Sequence, residues 1–469
     1  MTREVHIFFM LAGLGIVLFL NGCSFHEVNV AASPSVEIQD AFPSLENTEE
    51  AQNKRNKQPW WHELGKPYLS AIIEKSFTGN YDIAAAFARI HQARALQLQT
   101  RADLFPLVTL EGNVADRRQG SVDLSSTYDV GAAFNWEVDL FHRISMAAQA
   151  DELETLARVE DLNALRLSLS TDIASAYFGA IAANNRLTLL RSQVETDLYL
   201  QKLLELRQKS GVGTTVDVLQ QKSQVAESSS LIPLAESELR VFENRLDVLL
   251  GQGPDGLNRV NSEETLTFAS ALPVVGVPAD LLLNRPDLRS SRAELVAADA
   301  EIGAAIADRL PKLTLTGSYL YSDSTTFSGL AGLVMGSFIQ PILDWGQRKA
   351  VVEENKALYR ERLADFTQLY LKAVEQVENA LYQENKQREY ITRLEERRKI
   401  LLATEEETRA LYTQGLVNYL PVLHALQELR GVERDLITER LRLIDYRIAF
   451  YHAIGGVLPA NTPQQTKPL

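Results

Sequence analysis

The stretch Tyr128-Asp129-Val130-Gly131-Ala132-Ala133-Phe134-Asn135-Trp136-Glu137-Val138 decides the fold. Its even positions are Tyr, Val, Ala, Phe, Trp and Val, and its odd positions are Asp, Gly, Ala, Asn and Glu. Apolar and polar residues alternate with period two over about 11 residues, the length that a tilted membrane-spanning strand requires. Val108, Leu110 and Val114, set against Thr109, Glu111 and Asn113, supply a partner strand, with a polar connection at about residues 117–127. This predicts a β-hairpin over 107–138. In a second hairpin, over 312–341, Leu313, Leu315, Tyr319 and Tyr321 alternate with Thr314, Thr316 and Ser318. Its connection lies at about 322–329. Its last strand, from about residue 333 to 340, alternates poorly. An amphipathic strand of a soluble sandwich would account for any one of these segments. Two matched hairpins, each set between helices, fit that reading badly.

The match between the hairpins belongs to a longer repeat. Pro106 pairs with Pro311, Asp139 with Asp344, Arg143 with Arg348 and Tyr177 with Tyr382, each at an offset of 205. Gly211 pairs with Gly415 and Gly251 with Gly455 at 204. A unit this long is no solenoid repeat, whose period is about 20–50 residues; it is a duplicated half-molecule. Repeat 1 is expected over 61–258: a helix from near Pro67 to about Leu104, the hairpin, a long helix 143–210, and a return helix 215–250 interrupted near Pro233. Repeat 2 is expected over 259–458: a helix 285–310, the hairpin, a long helix 347–414 and a return helix 419–455. At about 1.5 Å per residue each long helix reaches on the order of 100 Å.

The long helices carry coiled-coil seams. Leu169, Ile173, Ala176, Ala180, Ala183, Leu187, Leu190 and Val194 follow one another in steps of four and three. In the second, Leu363, Phe366, Tyr370, Ala373, Val377 and Ala380 lead to polar Glu384 and Gln387 before Ile391 and Leu394 resume. Those polar positions predict a seam wetted on one side. Glu395-Glu396-Arg397-Arg398 and Glu405-Glu406-Glu407 read as solvated helix faces.

The first residues contain an apolar run, Ile7 to Leu20, too short to span a bilayer and suited to the core of a signal peptide, assigned to 1–22. Leu20-Asn21-Gly22-Cys23 resembles a bacterial lipobox, which implies that Cys23 becomes the lipidated first residue of the mature chain. Ser24 at the next position, in place of Asp, implies sorting to the outer membrane. Residues 23–60 read as a polar, proline-bearing tether or wrap, and 459–469 as a disordered tail. Cys23 is the single cysteine, so no internal disulfide exists. The net charge of −14 argues against nucleic acid as a partner.

Four membrane strands cannot close a barrel by themselves, because their edges would leave unpaired backbone groups in lipid at several kcal/mol each. Closure requires other copies of the chain. Two copies give a narrow eight-stranded barrel, and three give twelve strands and a lumen. The fold class is therefore an α+β membrane protein with an internal two-fold repeat.

The mature chain resembles the TolC-like outer-membrane efflux proteins, in particular their lipidated (NodT/OprM-like) branch. The resemblance rests on Trp136 through Phe141, the Arg-Pro-Asp-Leu core at Arg285 to Leu288, Leu310-Pro311 before a strand, and Leu343-Asp344-Trp345-Gly346-Gln347-Arg348. It rests equally on the two turns, Gly211 through Leu219 and Gly415 through Leu420. It implies a homotrimer with a twelve-stranded outer-membrane β-barrel, four strands per chain, continued by a long α-helical barrel into the periplasm. It also implies a periplasmic adaptor protein, an inner-membrane pump of the RND type, outer-membrane lipids around the barrel, and no cofactor. The residues expected at the adaptor-contact tips are Gly211, Val212, Gly213, Thr214, Gly415, Leu416 and Val417. Candidates for a periplasmic gate are Asp217, Tyr419, Leu423 and His424. The chain departs from the family where an acidic gate is common, with Pro421 and His424 at those positions. Asp139, Asp344, Arg143 and Arg348 read as structural junctions between strand and helix.

The seven histidines are scattered, with no pair at metal-ligand spacing and no nucleophile motif, so the chain is not expected to be an enzyme. The alternatives to an efflux duct are a duct of the same fold for type I protein secretion, or a structural coiled-coil lipoprotein bridging outer membrane and periplasm. A bridging lipoprotein has no use for hairpins that are apolar on one face.

Overall fold

The computed structural model describes residues 26–43, 58–119, 122–261, 264–267, 277–323 and 328–458. The signal peptide, Cys23 and the tail at 459–469 lie outside the described residues. After a 3-10 turn at Trp60–Leu64, the first half contains helices α1 (Pro67–Gly79) and α2 (Tyr81–Ala102), strands β1 (Leu107–Gln119) and β2 (Val122–Val138), and helices α3 (Arg143–Lys209) and α4 (Thr215–Leu249). One helical turn at Leu281–Asn284 precedes the second half: α5 (Pro286–Ala307), β3 (Lys312–Asp323), β4 (Ser328–Ile339), α6 (Gln347–Thr413) and α7 (Leu420–Ala453). The long helices α3 and α6 have the same length, 67 residues.

Three local expectations change. The first helix is two, because Asn80 interrupts it. Its Oδ1 accepts from the backbone N–H groups of Asp82 and Ile83, which starts α2, and its Nδ2 donates to the Leu249 carbonyl. Pro233 does not interrupt α4. Its missing N–H removes one ladder bond, a loss of about 3 kcal/mol. Leu231, Ile232 and Leu239 pack around Leu187, Leu190 and Ala235 there and hold the helix through the break. The hairpin connections are also shorter than expected, because polar residues on both sides of each connection continue the strand ladders.

The chain divides into two compact units. One consists of the described residues up to Glu37 with Ala86–Asp161 and Asp287–Leu369; the other consists of Ile38–Ala85, Leu162–Pro286 and the described residues from Tyr370 on.

The first unit holds a four-stranded antiparallel sheet in the order β1-β2-β3-β4. The register sorts its faces. Val108 faces Phe134, Phe134 faces Gly317, and Gly317 faces Val334; Trp136 faces Leu315, and Val138 faces Leu313, which faces Phe338. Residues directly opposite share a face, so Val108, Leu110, Phe134, Trp136, Leu313, Leu315, Val334 and Phe338 line up on one side. Of these, Val108, Leu110, Val334 and Phe338 stay largely exposed, as does Val130 on the same face. Gly317 takes the Phe134 ring over its Cα, where a Cβ would collide with it. β1 and β4 each have a strand neighbour on one side only.

In the same unit the N-terminal segment wraps onto helices instead of hanging free. The Asp299 carboxylate lies 2.9 Å from His26 Nε2 and accepts from the Asn29 N–H at 2.7 Å, while Arg292 donates to the Val30 carbonyl. The polar composition of the segment left a tether and a wrap both open; hydrogen bonds of its backbone to helix side chains make the described part, residues 26–43, a wrap.

The second unit is helical, and the α3 and α6 seams form its core. From Leu169 to Leu190 in α3 and from Tyr370 to Leu394 in α6, every seam residue named above is buried. Each fully buried large aliphatic or aromatic side chain contributes about 1.5–3 kcal/mol. Trp60 and Trp61 are buried as well. Trp60 donates to Ser170 at 3.1 Å and its ring lies 5.1 Å from that of Tyr451. Glu384 and Gln387 are not wetted positions. Glu384 is buried against Arg447 at 2.5 Å and Arg388 at 2.8 Å, and Gln387 donates to Glu439. Glu405, read as part of a solvated face, is likewise buried and paired with Arg409 at 2.6 Å. No helix among the described residues is long and apolar enough to cross a membrane.

Candidate functional site

The junctions between sheet and long helix lie in the first unit. The Asp139 carboxylate accepts from the Ile144 and Ser145 N–H groups at 3.0 and 2.8 Å, which caps α3. Arg143 donates two bonds of 2.9 Å to Glu137. The second junction repeats the device: Asp344 accepts from Gly346 and Arg348, and Arg348 donates to Asp308. Hydrogen bonds to the ionised form hold the Asp344 carboxyl below the usual range. His142 and Trp345 both take left-handed backbone angles, φ 62° and 53°, to turn strand into helix. At the second junction Ile342, Leu343 and Trp345 are exposed.

The helix turns lie in the second unit. Both long helices end alike. Gly211 and Gly415 have φ of +77° and +75°, a conformation in which a Cβ is penalised. The Val212 N–H donates to the Arg207 carbonyl and the Leu416 N–H to the Leu411 carbonyl, each at 3.0 Å and each five residues back. This is the Schellman arrangement. The apolar residues that follow the two glycines stay exposed, Val212 at 69% and Leu416 at 67%. Gly213, Thr214 and Val417 complete the expected tips. Thr214 forms a capping box with Asp217: the Thr214 hydroxyl accepts from the Asp217 N–H, and the Asp217 carboxylate accepts from the Thr214 N–H.

The candidate gate residues do not form one group. Asp217 is occupied in the capping box. Tyr419 and Leu423 were expected to narrow a pore, but both are buried, packed with Leu204, Val218 and Val422. His424 is exposed. Apolar side chains on two successive turns of α7 find an apolar partner face on α3 and α4, so they enter the core of this unit.

Sequence reasoning missed the polar cluster behind these residues. Asp197 is 0% and Arg430 3% exposed, and Arg430 donates to both Asp197 oxygens at 2.5 and 2.6 Å. Gln221 and Ser228 donate to the same carboxylate, and the Tyr419 hydroxyl donates to Gln221 at 2.5 Å. Burial holds the Tyr419 phenol well above its ordinary pKa, so it remains a donor. Next to it, the Arg207 guanidinium lies 4.6 Å from the centre of the Tyr412 ring. One signal was available: Asp197 follows Val194 by three, so it continues the α3 seam with a charge. Among the described residues no group of three potential ligands could hold a metal ion.

The comparisons with known proteins follow the repeat. The model of the family described as "Outer membrane efflux protein" matches residues 72–252 and again 277–456, well over half of the chain. The chain belongs to the outer membrane efflux protein family. Its place is the bacterial outer membrane and its activity is efflux through a channel. It is 27% identical over 428 residues to the pyoverdine export outer membrane protein OpmQ of Pseudomonas putida, covering 87% of this chain and 89% of that one. It is 25% identical to the probable outer membrane lipoprotein SilC of Salmonella typhimurium, with 95% and 98% covered. The solved structure of the outer-membrane channel OprN superposes with a TM-score of 0.85 at 28% identity, covering 92% of this chain and 99% of that chain. Members of this family are channel proteins, in accord with the expectation that the chain is not an enzyme.

Proposed function

We propose that three copies of this chain form the outer-membrane conduit of a tripartite efflux pump, a twelve-stranded barrel continued by a periplasmic helical barrel. The observation that carries this reading is the sheet. One face is apolar over most of its length, from Val108, Phe134 and Trp136 to Val334 and Phe338, and the sheet has two open edges, β1 and β4. In lipid each unpaired edge group costs several kcal/mol, which pairing β1 of one copy with β4 of the next removes. Three copies leave a lumen where two would leave a filled interior.

The exposed Val212 and Leu416 side chains, with Gly211, Gly213, Thr214, Gly415 and Val417 around them, suit an apolar contact with a periplasmic adaptor, which in turn meets an inner-membrane pump of the RND type. Gate function falls to the turn as a whole. His424 offers the exposed side chain, while Asp217, Tyr419 and Leu423 hold the returning helices. A lipid on Cys23 anchors each copy, a reading supported by the lipobox-like Leu20-Asn21-Gly22-Cys23 and by the SilC relative's designation as a lipoprotein. Native mass spectrometry of the purified protein tests the assembly. A mass of three chains, each carrying lipid at its N-terminus, is expected; a monomer or dimer in folded protein contradicts it.

A further inference from the structure

The polar face of the sheet is not polar throughout. On β1, β2 and β3 the positions facing away from the apolar side include the polar Thr109, Asn113, Asn135, Thr314, Thr316 and Ser318, with Leu107 and Leu320 the large apolar exceptions. On β4 the same face carries Leu333, Met335 and Ile339, which the register places beside Ser318, Thr316 and Lys312. All three are more than half exposed. A water-facing strand has no folding reason for such residues.

These side chains border a hollow. A cavity of about 250 Å³ on this face is lined by Leu107 and Glu111 of β1, Thr316 and Ser318 of β3, and Leu333 and Met335 of β4. This lies just below the range of roughly 300–1,000 Å³ typical of small-molecule pockets. Its walls are apolar at both ends, its floor carries hydroxyls, and it holds one carboxylate. Glu111 accepts a bond from Thr109 and is in no ion pair among the described residues. Two other charges on the face are neutralised, Glu137 by Arg143 and Lys312 by Asp308. Asp129, on the same face two pairs along the β1–β2 ladder from Glu111, is in no ion pair among the described residues either. Apolar walls with unneutralised carboxylates fit a ligand that is apolar in body and positive in charge.

We infer that this hollow is a lumenal binding site for amphipathic organic cations, with Glu111 the charge partner and Leu333 and Met335 the apolar wall. The inference rests on the conduit reading, in which this face lines the lumen. Neutral hydroxyls and a single carboxylate make the site weak enough to release what it binds, as a conduit requires. Metal cargo finds neither a histidine nor a thiol there.

The test is block of single-channel potassium chloride current through the purified full-length protein in a planar bilayer. Tetraphenylphosphonium is the probe and tetraethylammonium, of the same charge without aromatic rings, its control. Block by tetraphenylphosphonium is expected at a concentration at least tenfold lower. Glu111→Gln should weaken block by both cations about tenfold. The double variant Leu333→Thr/Met335→Thr should bring tetraphenylphosphonium to the level of tetraethylammonium. Equal block by the two cations, or wild-type block in the double variant, overturns the site. If the double variant instead loses the trimeric mass, the apolar wall is packing between copies and the inference is wrong. Absence of any channel overturns the conduit reading and this site with it.

Discussion

At the first turn the chain re-enters helix at Thr214, whose capping box with Asp217 lies wholly within four residues of sequence. At the second it re-enters at Tyr419, which makes no side-chain cap; Pro421 stands in the first turn, and the Tyr419 hydroxyl reaches Gln221, 198 residues away. The exits from the two long helices are the same, glycine for glycine. Duplication therefore preserved the way out of each helix and changed the way back. The first return helix is started by local chemistry. The second is held by a buried network that joins Arg430 of α7 to Asp197 of α3 and Gln221 and Ser228 of α4. A local cap is stable in isolation, whereas a network spanning three helices is made or broken together.

Removing one partner of the buried pair should have the largest effect. Arg430→Met leaves Asp197 charged and unpaired and is expected to destabilise the helical unit by about 3–5 kcal/mol. Asp197→Leu combined with Arg430→Met should recover much of that loss, because the stranded charge is gone. Urea unfolding followed by circular dichroism measures both. If the double variant is as unstable as the single, the network is more than an ion pair and its supporting hydrogen bonds carry the stability.

Farther along the same return helix, Asp445 provides a second probe of how α7 is held. Burial pushes its carboxyl up to about 6 from an ordinary 3.8, partly opposed by a hydrogen bond from Ser175. A raised carboxyl binds its proton more tightly in the folded state. Its stabilising effect is full below pH 4 and is lost as pH rises to about 6. The loss is on the order of 3 kcal/mol. Asp445→Asn should flatten this window and stabilise the protein at pH 7. Melting temperatures across pH 4 to 7 give the answer, and an unchanged slope in the variant would assign it to another group.

Smaller effects bear on the shared exits and the unshared entries. Gly211→Ala and Gly415→Ala should each cost about 1–2 kcal/mol, since both force a Cβ into left-handed backbone. The two costs should be equal; a large inequality would mean that the turns differ in strain as well as in packing. Thr214→Ala should cost about 1 kcal/mol through the lost cap. Asn418→Ala at the second turn should cost less, because no side-chain cap starts α7.

Much of this architecture was legible in the residues. Pro106 and Pro311 mark the ends of helices, and glycines mark the ends of both long ones, because each restricts or frees the backbone locally. The strand faces were readable on β1, β2 and β3, where period two is clean. β4 was not, since Leu333 and Met335 break its alternation and their meaning depends on what lies across the sheet. Polar seam residues were the main source of error. Glu384 and Gln387 suggested contact with water, whereas the partner that buries Glu384 is Arg447, 63 residues away. Asp197 and Arg430 are 233 residues apart. Periodicity says which face a charge occupies; it does not say which distant side chain neutralises it. For the same reason Tyr419 and Leu423 read as pore-lining when they belong to the core.

The central claim is that an open four-stranded sheet becomes a conduit by joining copies of itself. Conductance of the purified trimer in a planar bilayer tests this most directly. Discrete channel openings are expected from the wild-type protein. They should be lost on Val334→Pro, which places a proline in the β4 edge strand where the next copy must pair. A folded, trimeric protein that passes no current under any applied voltage would contradict the account.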